Sequence, residues 1–258
     1  MKKLLSAALA AVMSISLFAA CGTKTENTGN NASNDSKKVL TMATNAEFKP
    51  FEYIEGEEVI GADVDLANAI ADKLGYKLEI SNIDFDAALT GVATGKYDIG
   101  VAGITANEER KKNMDFTNDY FKASQAIIVA KDSAIKGASD LEGKTVSCQE
   151  GTTGEQYLND NGYAVQSFKT ASEAISALTA GKVDAVVIDD SVAKALSAEQ
   201  NGATVVLDEP LTQETYAIAL KKGNTELTDK INGALDELKA DGTLKKIFEK
   251  YDLTIDAE

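Results

Sequence analysis

The chain has 258 residues, 44% hydrophobic and 26% charged, with 26 lysines and arginines against 41 acidic residues for a net charge of −15. That is enough apolar material for one large domain or two lobes of roughly 100 residues each. It excludes a disordered chain and leaves no basic face for nucleic acid. With no histidine and only two cysteines, Cys21 and Cys148, the sequence also excludes His-based metal sites, zinc ribbons and His-containing catalytic triads.

Met1-Lys2-Lys3 and the apolar, small-residue run Leu4–Ala20 read as a secretory signal peptide over residues 1–20. A permanent single-span anchor is the alternative, because about 17 residues is the lower limit for crossing a bilayer. The run ends in Leu17-Phe18-Ala19-Ala20-Cys21-Gly22, which resembles the bacterial lipobox. That resemblance implies a diacylglyceryl group on Cys21, and two acyl chains suffice for stable anchoring. Residues 21–38 continue as a flexible tether of Asn, Thr, Ser, Gly and Lys. The expected location is the outer face of the cell membrane. Cys148 then has no partner within the chain and reads as a small core residue.

From Val39 onward short apolar runs alternate with helical patterns. In chain order, Val39–Ala43 predicts a strand, Val64–Leu74 and Asp86–Thr94 helices, and Ile99–Ala102, Ala126–Ala130 and Thr145–Cys148 strands. Ser172–Thr179 then predicts a helix, Ala185–Ile188 a strand, Ser191–Ala198 a helix and Tyr216–Leu220 a strand. The last pattern is helical over Glu226–Lys250, broken near Asp241-Gly242. Alternation of this kind predicts an α/β fold with mostly parallel sheets.

An internal echo divides the body. Ala88-Leu89-Thr90-Gly91 through Gly95-Lys96-Tyr97-Asp98-Ile99 resembles Ile175-Ser176-Ala177-Leu178 through Gly181-Lys182-Val183-Asp184-Ala185. Gly95 and Gly181 are 86 residues apart, and so are Asp98 and Asp184. In each copy a helix ends at glycine and an aspartate precedes a buried strand, so both aspartates read as structural caps. The same offset pairs Gly103 with Asp189 just beyond the two strands. Ligands of open α/β sheets sit there, so a ligand between the halves would meet a turn rich in amides on one side and a carboxylate on the other.

Among the 26 basic residues only Arg110 is an arginine. A guanidinium grips a carboxylate through two parallel N–H bonds, which an ammonium cannot do. Arg110 follows Gly103-Ile104-Thr105 by a short stretch expected to open a helix. It reads either as a ligand carboxylate clamp or as a surface salt bridge with Glu108 or Glu109.

At this point the motifs Thr44-Asn45-Ala46-Glu47-Phe48, Gly61-Ala62-Asp63-Val64-Asp65-Leu66, Gly103-Ile104-Thr105 with Arg110, and Asp115-Phe116-Thr117 resemble the polar amino-acid solute-binding proteins of ABC importers, in lipoprotein form. The resemblance covers about Val39 to Tyr251. It implies a periplasmic-binding-protein-like fold of two lobes, joined by two hinge strands near Tyr120–Ser124 and Gln213–Tyr216 and closing on a free amino acid. Lobe 1 would take residues 39–121 and 216–258, and lobe 2 residues 122–215. The implied partners are an importer permease and the membrane through the anchor, for a monomer with no cofactor, no metal and no catalytic activity.

Carried over residue by residue, Arg110 resembles the clamp on the ligand α-carboxylate, Thr105 adds an amide and hydroxyl, and the Thr152-Thr153 turn donates an amide. Asp189, helped by the Gly103 carbonyl, resembles the acceptor of the α-ammonium. Phe48 and Phe85 resemble aromatic walls, with core packing as the alternative. Asn45 and Gln149, together with Glu47 and Glu150, are the specificity candidates. Because Asn45 and Gln149 are neutral donors and acceptors, the expected ligand is neutral and polar, such as glutamine or cystine; Glu47 leaves arginine, lysine or histidine as alternatives. Two further classes share the residues: a dehydratase acting on a small carboxylate through Asp190 or Glu150, and a surface adhesin or sensor partner.

Overall fold

The computed structural model describes residues 37–255; the leader, Cys21 and the tether up to Ser36 lie outside the described residues. Strand β1 (Lys38–Thr44) begins the body, followed by a small meander of β2 (Glu47–Phe48), β3 (Glu52–Glu55) and β4 (Glu58–Ile60). Helix α1 (Ala62–Lys73), β5 (Tyr76–Asn82), α2 (Phe85–Thr94) and β6 (Ile99–Gly100) come next. Strands β7 (Met114–Phe116) and β8 (Phe121–Ala123) lead out of this lobe, and β9 (Gln125–Ala130) enters the other. There the chain forms β10 (Thr145–Gln149), α3 (Thr153–Asp160), β11 (Ala164–Phe168) and α4 (Ala171–Thr179). It continues with β12 (Ala185–Asp189), α5 (Asp190–Ala198) and β13 (Thr204–Val206). It returns through β14 (Glu214–Tyr216) and β15 (Ala219–Lys221) and ends with α6 (Thr225–Ala240) and α7 (Thr243–Glu249).

The result is an α/β fold with two five-stranded sheets, in the orders β5-β1-β6-β15-β7 and β11-β10-β12-β9-β13. In each, three strands are parallel, as the alternating pattern predicts. A fourth strand, β15 or β9, arrives from the opposite lobe and runs antiparallel to them. The edge strand beyond it, β7 or β13, pairs antiparallel with that fourth strand and so points the same way as the first three. The predicted strand over Tyr216–Leu220 is accordingly two strands. Tyr216 pairs with Phe121 in a two-stranded ribbon, whereas Ala219 pairs with Gly100 and Phe116 in the first sheet. The strand expected over Ile99–Ala102 stops at Gly100 for a related reason: the backbone turns at Gly103, whose φ of 54° is left-handed.

The sequence echo is a structural repeat. The Asp98 carboxylate accepts the Thr41 amide at 2.8 Å and the Thr41 hydroxyl at 2.7 Å, and the Asp184 carboxylate accepts the Thr145 amide at 2.8 Å. Each aspartate thus ties the entry of the third parallel strand, in chain order, to the first parallel strand of its own sheet. Both are structural, and Gly95 and Gly181 end the preceding helices at φ 80° and 66°.

Where the chain crosses between lobes, the ribbon is packed in aromatic rings. Phe51 meets Phe121 and Tyr216 edge-on at 5.0 and 5.2 Å, and Phe121 stacks on Phe248 of α7 at 5.4 Å. Phe51, Tyr216 and Phe248 are fully buried, each contributing about 1.5–3 kcal/mol by burial. Helix α1 starts beside this cluster at Gly61. Its φ of 134° and a Cβ that would lie 2.1 Å from the Phe51 carbonyl oxygen admit only glycine. Cys148 is a buried free thiol in the lobe 2 core, and burial pushes its pKa to about 12.

Candidate functional site

Between the two sheets lies a narrow cavity whose lining includes all nine residues expected to bind ligand. All but Phe48 lie at or beyond the carboxyl ends of parallel strands in the two lobes, where an open α/β sheet leaves room. Lobe 1 supplies Asn45 after β1, Phe48 from the meander, Phe85 at the start of α2, and Gly103, Thr105 and Arg110 after β6. Lobe 2 supplies Gln149 at the end of β10, Thr153 at the start of α3, and Asp189 at the end of β12.

The Gly103 turn is fixed from beneath. Its amide donates to the Asp63 carboxylate at 2.8 Å, and the same oxygen accepts the Tyr120 hydroxyl at 2.8 Å. A Cβ on residue 103 would meet the Phe48 ring at 2.8 Å, so the close approach and the positive φ together require glycine. Asp63 itself is fully buried next to the buried Glu52. Burial, and after it the neighbouring Asp63 charge, holds the Glu52 carboxyl well above the ordinary range. Burial raises Asp63 to about 6, against the opposing pull of the Gly103 amide. Burial thus favours a neutral Glu52 beside Asp63, whose carboxylate oxygen accepts the Gly103 amide that shapes the turn.

The Arg110 side chain lines the cavity. Glu108, its candidate surface partner, pairs with Lys111 at 2.9 Å instead. The guanidinium donates to the Thr105 carbonyl at 3.0 Å and, across the cleft, to the Gly151 carbonyl of lobe 2 at 3.1 Å. The Phe85 ring lies 5.4 Å from its central carbon, a cation–π contact. Burial pulls its pKa down, while Asp189, then Glu214 and Asp86, pull it up. The helix expected to follow is a single three-residue turn, Arg110–Lys112. So short a turn offers little helix dipole, which leaves the guanidinium as the group of this segment suited to a carboxylate.

Asp189 faces it from lobe 2, buried at the N-cap of α5. It accepts a short hydrogen bond from the Tyr216 hydroxyl. Burial first and the Glu214 charge second raise its pKa to about 7, against hydrogen bonds from Tyr216 and Gln125. A carboxyl poised in this way ionises fully once a cation is placed beside it.

Asn45 and Gln149 meet across the cleft. The Gln149 amide donates to Asn45 Oδ1 at 2.9 Å and to the Lys169 carbonyl at 3.2 Å, while Asn45 donates to the Ile83 carbonyl at 3.0 Å. Both side chains are fixed by partners and still border the cavity. Phe48 and Phe85 line the cavity and also pack into the core. The other specificity candidates stand outside the lining: Glu150 pairs with Lys169 at 2.5 Å, and Glu47 accepts the Ser172 hydroxyl at 3.4 Å.

Sequence reasoning missed Glu214. Its Oε2 accepts the Thr105 hydroxyl at 2.5 Å and the Thr153 hydroxyl at 2.8 Å, and its Oε1 accepts the Thr212 hydroxyl at 2.7 Å. The hydroxyl expected to serve a ligand on Thr105 is thus given to a protein carboxylate. The available signal was its place inside the predicted hinge segment, two residues before the fully buried Tyr216.

The family of bacterial extracellular solute-binding proteins, family 3, matches residues 40–254, and the chain belongs to it. The arginine-binding extracellular protein ArtP of Bacillus subtilis is 36% identical over 97% of this chain and 98% of its own length. The glutamine-binding protein GlnH of the same organism is 33% identical over 97% of both chains. Among solved structures, an ancestral arginine-binding protein bound to glutamine superposes with a TM-score of 0.80 at 44% identity, covering 83% of this chain and 98% of that one.

Proposed function

We propose that the chain is the amino-acid receptor of an ABC importer, closing its lobes on a zwitterion at the β8–β14 ribbon and presenting it to a permease. The observation that carries this reading is the placement of one guanidinium and one poised carboxylate on opposite walls of the same cavity. Arg110 takes the ligand α-carboxylate, joined by amides of the Thr105 and Thr153 turns. Asp189 and the Gly103 carbonyl take the α-ammonium. A zwitterion supplies both counter-charges at once, and stripping one partner from such a buried pair costs about 3–5 kcal/mol.

For the side chain, the sequence favours glutamine or cystine; the charges around the cleft move arginine ahead of them. Arg110 is opposed by Asp189, Glu214 and Asp86, a surplus of negative charge that a cationic side chain offsets. Asn45, Gln149 and the two phenylalanines offer acceptors and flat faces suited to a guanidinium. Kinship to arginine-binding relatives supports the same order. Catalysis has weaker support, since Glu150, one of its two proposed acids, is paired with Lys169 away from the lining. Cys21 is the proposed anchor site, tested by palmitate labelling that disappears in Cys21→Ala.

A thermal-shift screen of the twenty amino acids, cystine and ornithine tests the reading. A ligand at 100 times its dissociation constant adds about 2.7 kcal/mol of apparent stability. Arginine is expected to give the largest shift and glutamine a smaller one. A panel without a shift contradicts the receptor reading.

A further inference from the structure

Resting on that receptor reading, the geometry points to a role for Glu214 that is separate from ligand contact. We propose that Glu214 is the closure latch of the receptor, a positioning residue on the hinge ribbon that ties a hydroxyl of lobe 1 to a hydroxyl of lobe 2 and so slows ligand escape.

Its three hydroxyl partners come from different parts of the chain. Thr105 belongs to lobe 1, Thr153 opens α3 of lobe 2, and Thr212 lies on the return segment. The direction of two of these bonds is set by one further residue, Gln125. Its backbone amide donates to the Thr212 hydroxyl at 2.9 Å, and its side-chain amide donates to the Thr153 hydroxyl at 3.2 Å. Each hydroxyl has a single proton, so an oxygen already accepting from Gln125 turns that proton toward Glu214. The carboxylate is thereby held to lobe 2 through two oriented donors. The Thr105 hydroxyl is the contact that lobe 1 adds, and it reaches the same oxygen as Thr153.

Gln125 also stands directly opposite Asp189 in the β9–β12 pairing. The latch is therefore wired to the residue proposed to receive the ligand ammonium, without touching the ligand itself. When the lobes part, Thr105 and Thr153 separate, and one carboxylate oxygen no longer serves both. Hydrogen bonds to a charged acceptor are about twice as strong as neutral ones, which suits a contact that is made and broken with each capture. In Glu214→Gln the amide keeps the size of the side chain and removes the charge.

The test uses the full chain and radiolabelled L-arginine, chased with unlabelled arginine on a filter assay, for wild type, Glu214→Gln, Thr105→Val and the double variant. The latch predicts that both single variants release arginine faster by roughly tenfold, with the association rate unchanged and the double variant no faster than the quicker single. Release at the wild-type rate in Glu214→Gln overturns it, as do losses that add in the double variant. If wild type captures neither arginine nor glutamine, the receptor reading fails. The latch is then decided by small-angle scattering: a larger radius of gyration in Glu214→Gln upholds it, and equal radii overturn it.

Discussion

The two lobes place different residues at one and the same structural position. Gly103 and Asp189 are 86 residues apart, Gly103 in the turn after β6 and Asp189 the last residue of β12, each at the carboxyl end of the third parallel strand of its sheet. Both strands are anchored upstream by an aspartate bonded to the first strand. In lobe 1 the chain turns left-handed and gives its amide to an acid lying beneath it, Asp63. In lobe 2 the chain runs straight into α5, and the acid itself projects into the cavity. Duplication of the scaffold sets where a ligand can sit, and the residue at the end of one strand sets which sign of charge it meets. An asymmetric, dipolar ligand fits a pair of walls that share a shape and differ in charge.

The comparison breaks most severely when the positive wall is removed. Arg110→Ala leaves Asp189 and Glu214 without the cation beside them, and we expect affinity to fall by about 100-fold or more, measured by calorimetric titration with arginine. Arg110→Lys keeps the charge and loses the planar fork, so it should recover only part of that loss. A variant of either kind that binds as wild type does removes the clamp.

On the opposite wall, Asp189→Asn should weaken binding by about 10-fold or more and abolish the pH dependence expected of wild type. In the free protein this carboxyl titrates at about 7. In the proposed complex the ligand ammonium needs it ionised, so binding would release a proton below that pH. Affinity is expected to fall as pH drops from 8 to 5 and to level off above about 7. The same shift acts on folding with the opposite sign. A folded-state pKa above the ordinary aspartate value of about 3.9 favours the folded form at low pH, and that contribution is lost as pH rises through 7. Asp189→Asn should therefore raise the melting temperature of the unliganded protein at pH 8 more than at pH 4. A variant that melts lower at pH 8 would assign Asp189 to the framework.

Gly103→Ala tests the turn that distinguishes lobe 1. The methyl group would meet Phe48 at 2.8 Å with the backbone at φ 54°, a strain of about 1–3 kcal/mol. Melting temperature and affinity should fall together, and an alanine variant of wild-type stability would show that the turn tolerates a Cβ. The smallest effect is expected from Asn45→Asp, which adds a negative charge to a wall that both lobes share. Arginine should gain over glutamine by a few-fold in competition titrations, and a shift toward glutamine would overturn the placement of the ligand side chain beside Asn45.

Asn45, Phe48, Phe85, Thr105, Gln149 and Thr153 entered through the resemblance to the solute-binding family, whereas Gly103, Asp189 and Arg110 were legible from the echo, the ends of the buried strands and the solitary arginine. Each depends on a local signal, either a glycine at a helix end or a residue type used only once. What stayed hidden has a common cause. The edge strands β5 and β11 are half-exposed, so they show no continuous apolar run, and α3 buries only Gly154 and Leu158. Glu214 was illegible because its meaning arises from three hydroxyls far apart in sequence, and Glu52 and Asp63 because nothing local marks an acid as buried. Glu47 and Glu150 were drawn toward the site by their sequence neighbours. Their side chains turn instead to Ser172 and Lys169.

A calorimetric cycle pairing wild type and Arg110→Ala with arginine and with agmatine, which lacks the carboxylate, addresses the dipolar grip most directly. The account predicts that wild type discriminates strongly against agmatine and that Arg110→Ala binds the two equally weakly. Agmatine binding to wild type as tightly as arginine, or an Arg110→Ala penalty of the same size for both ligands, would contradict it.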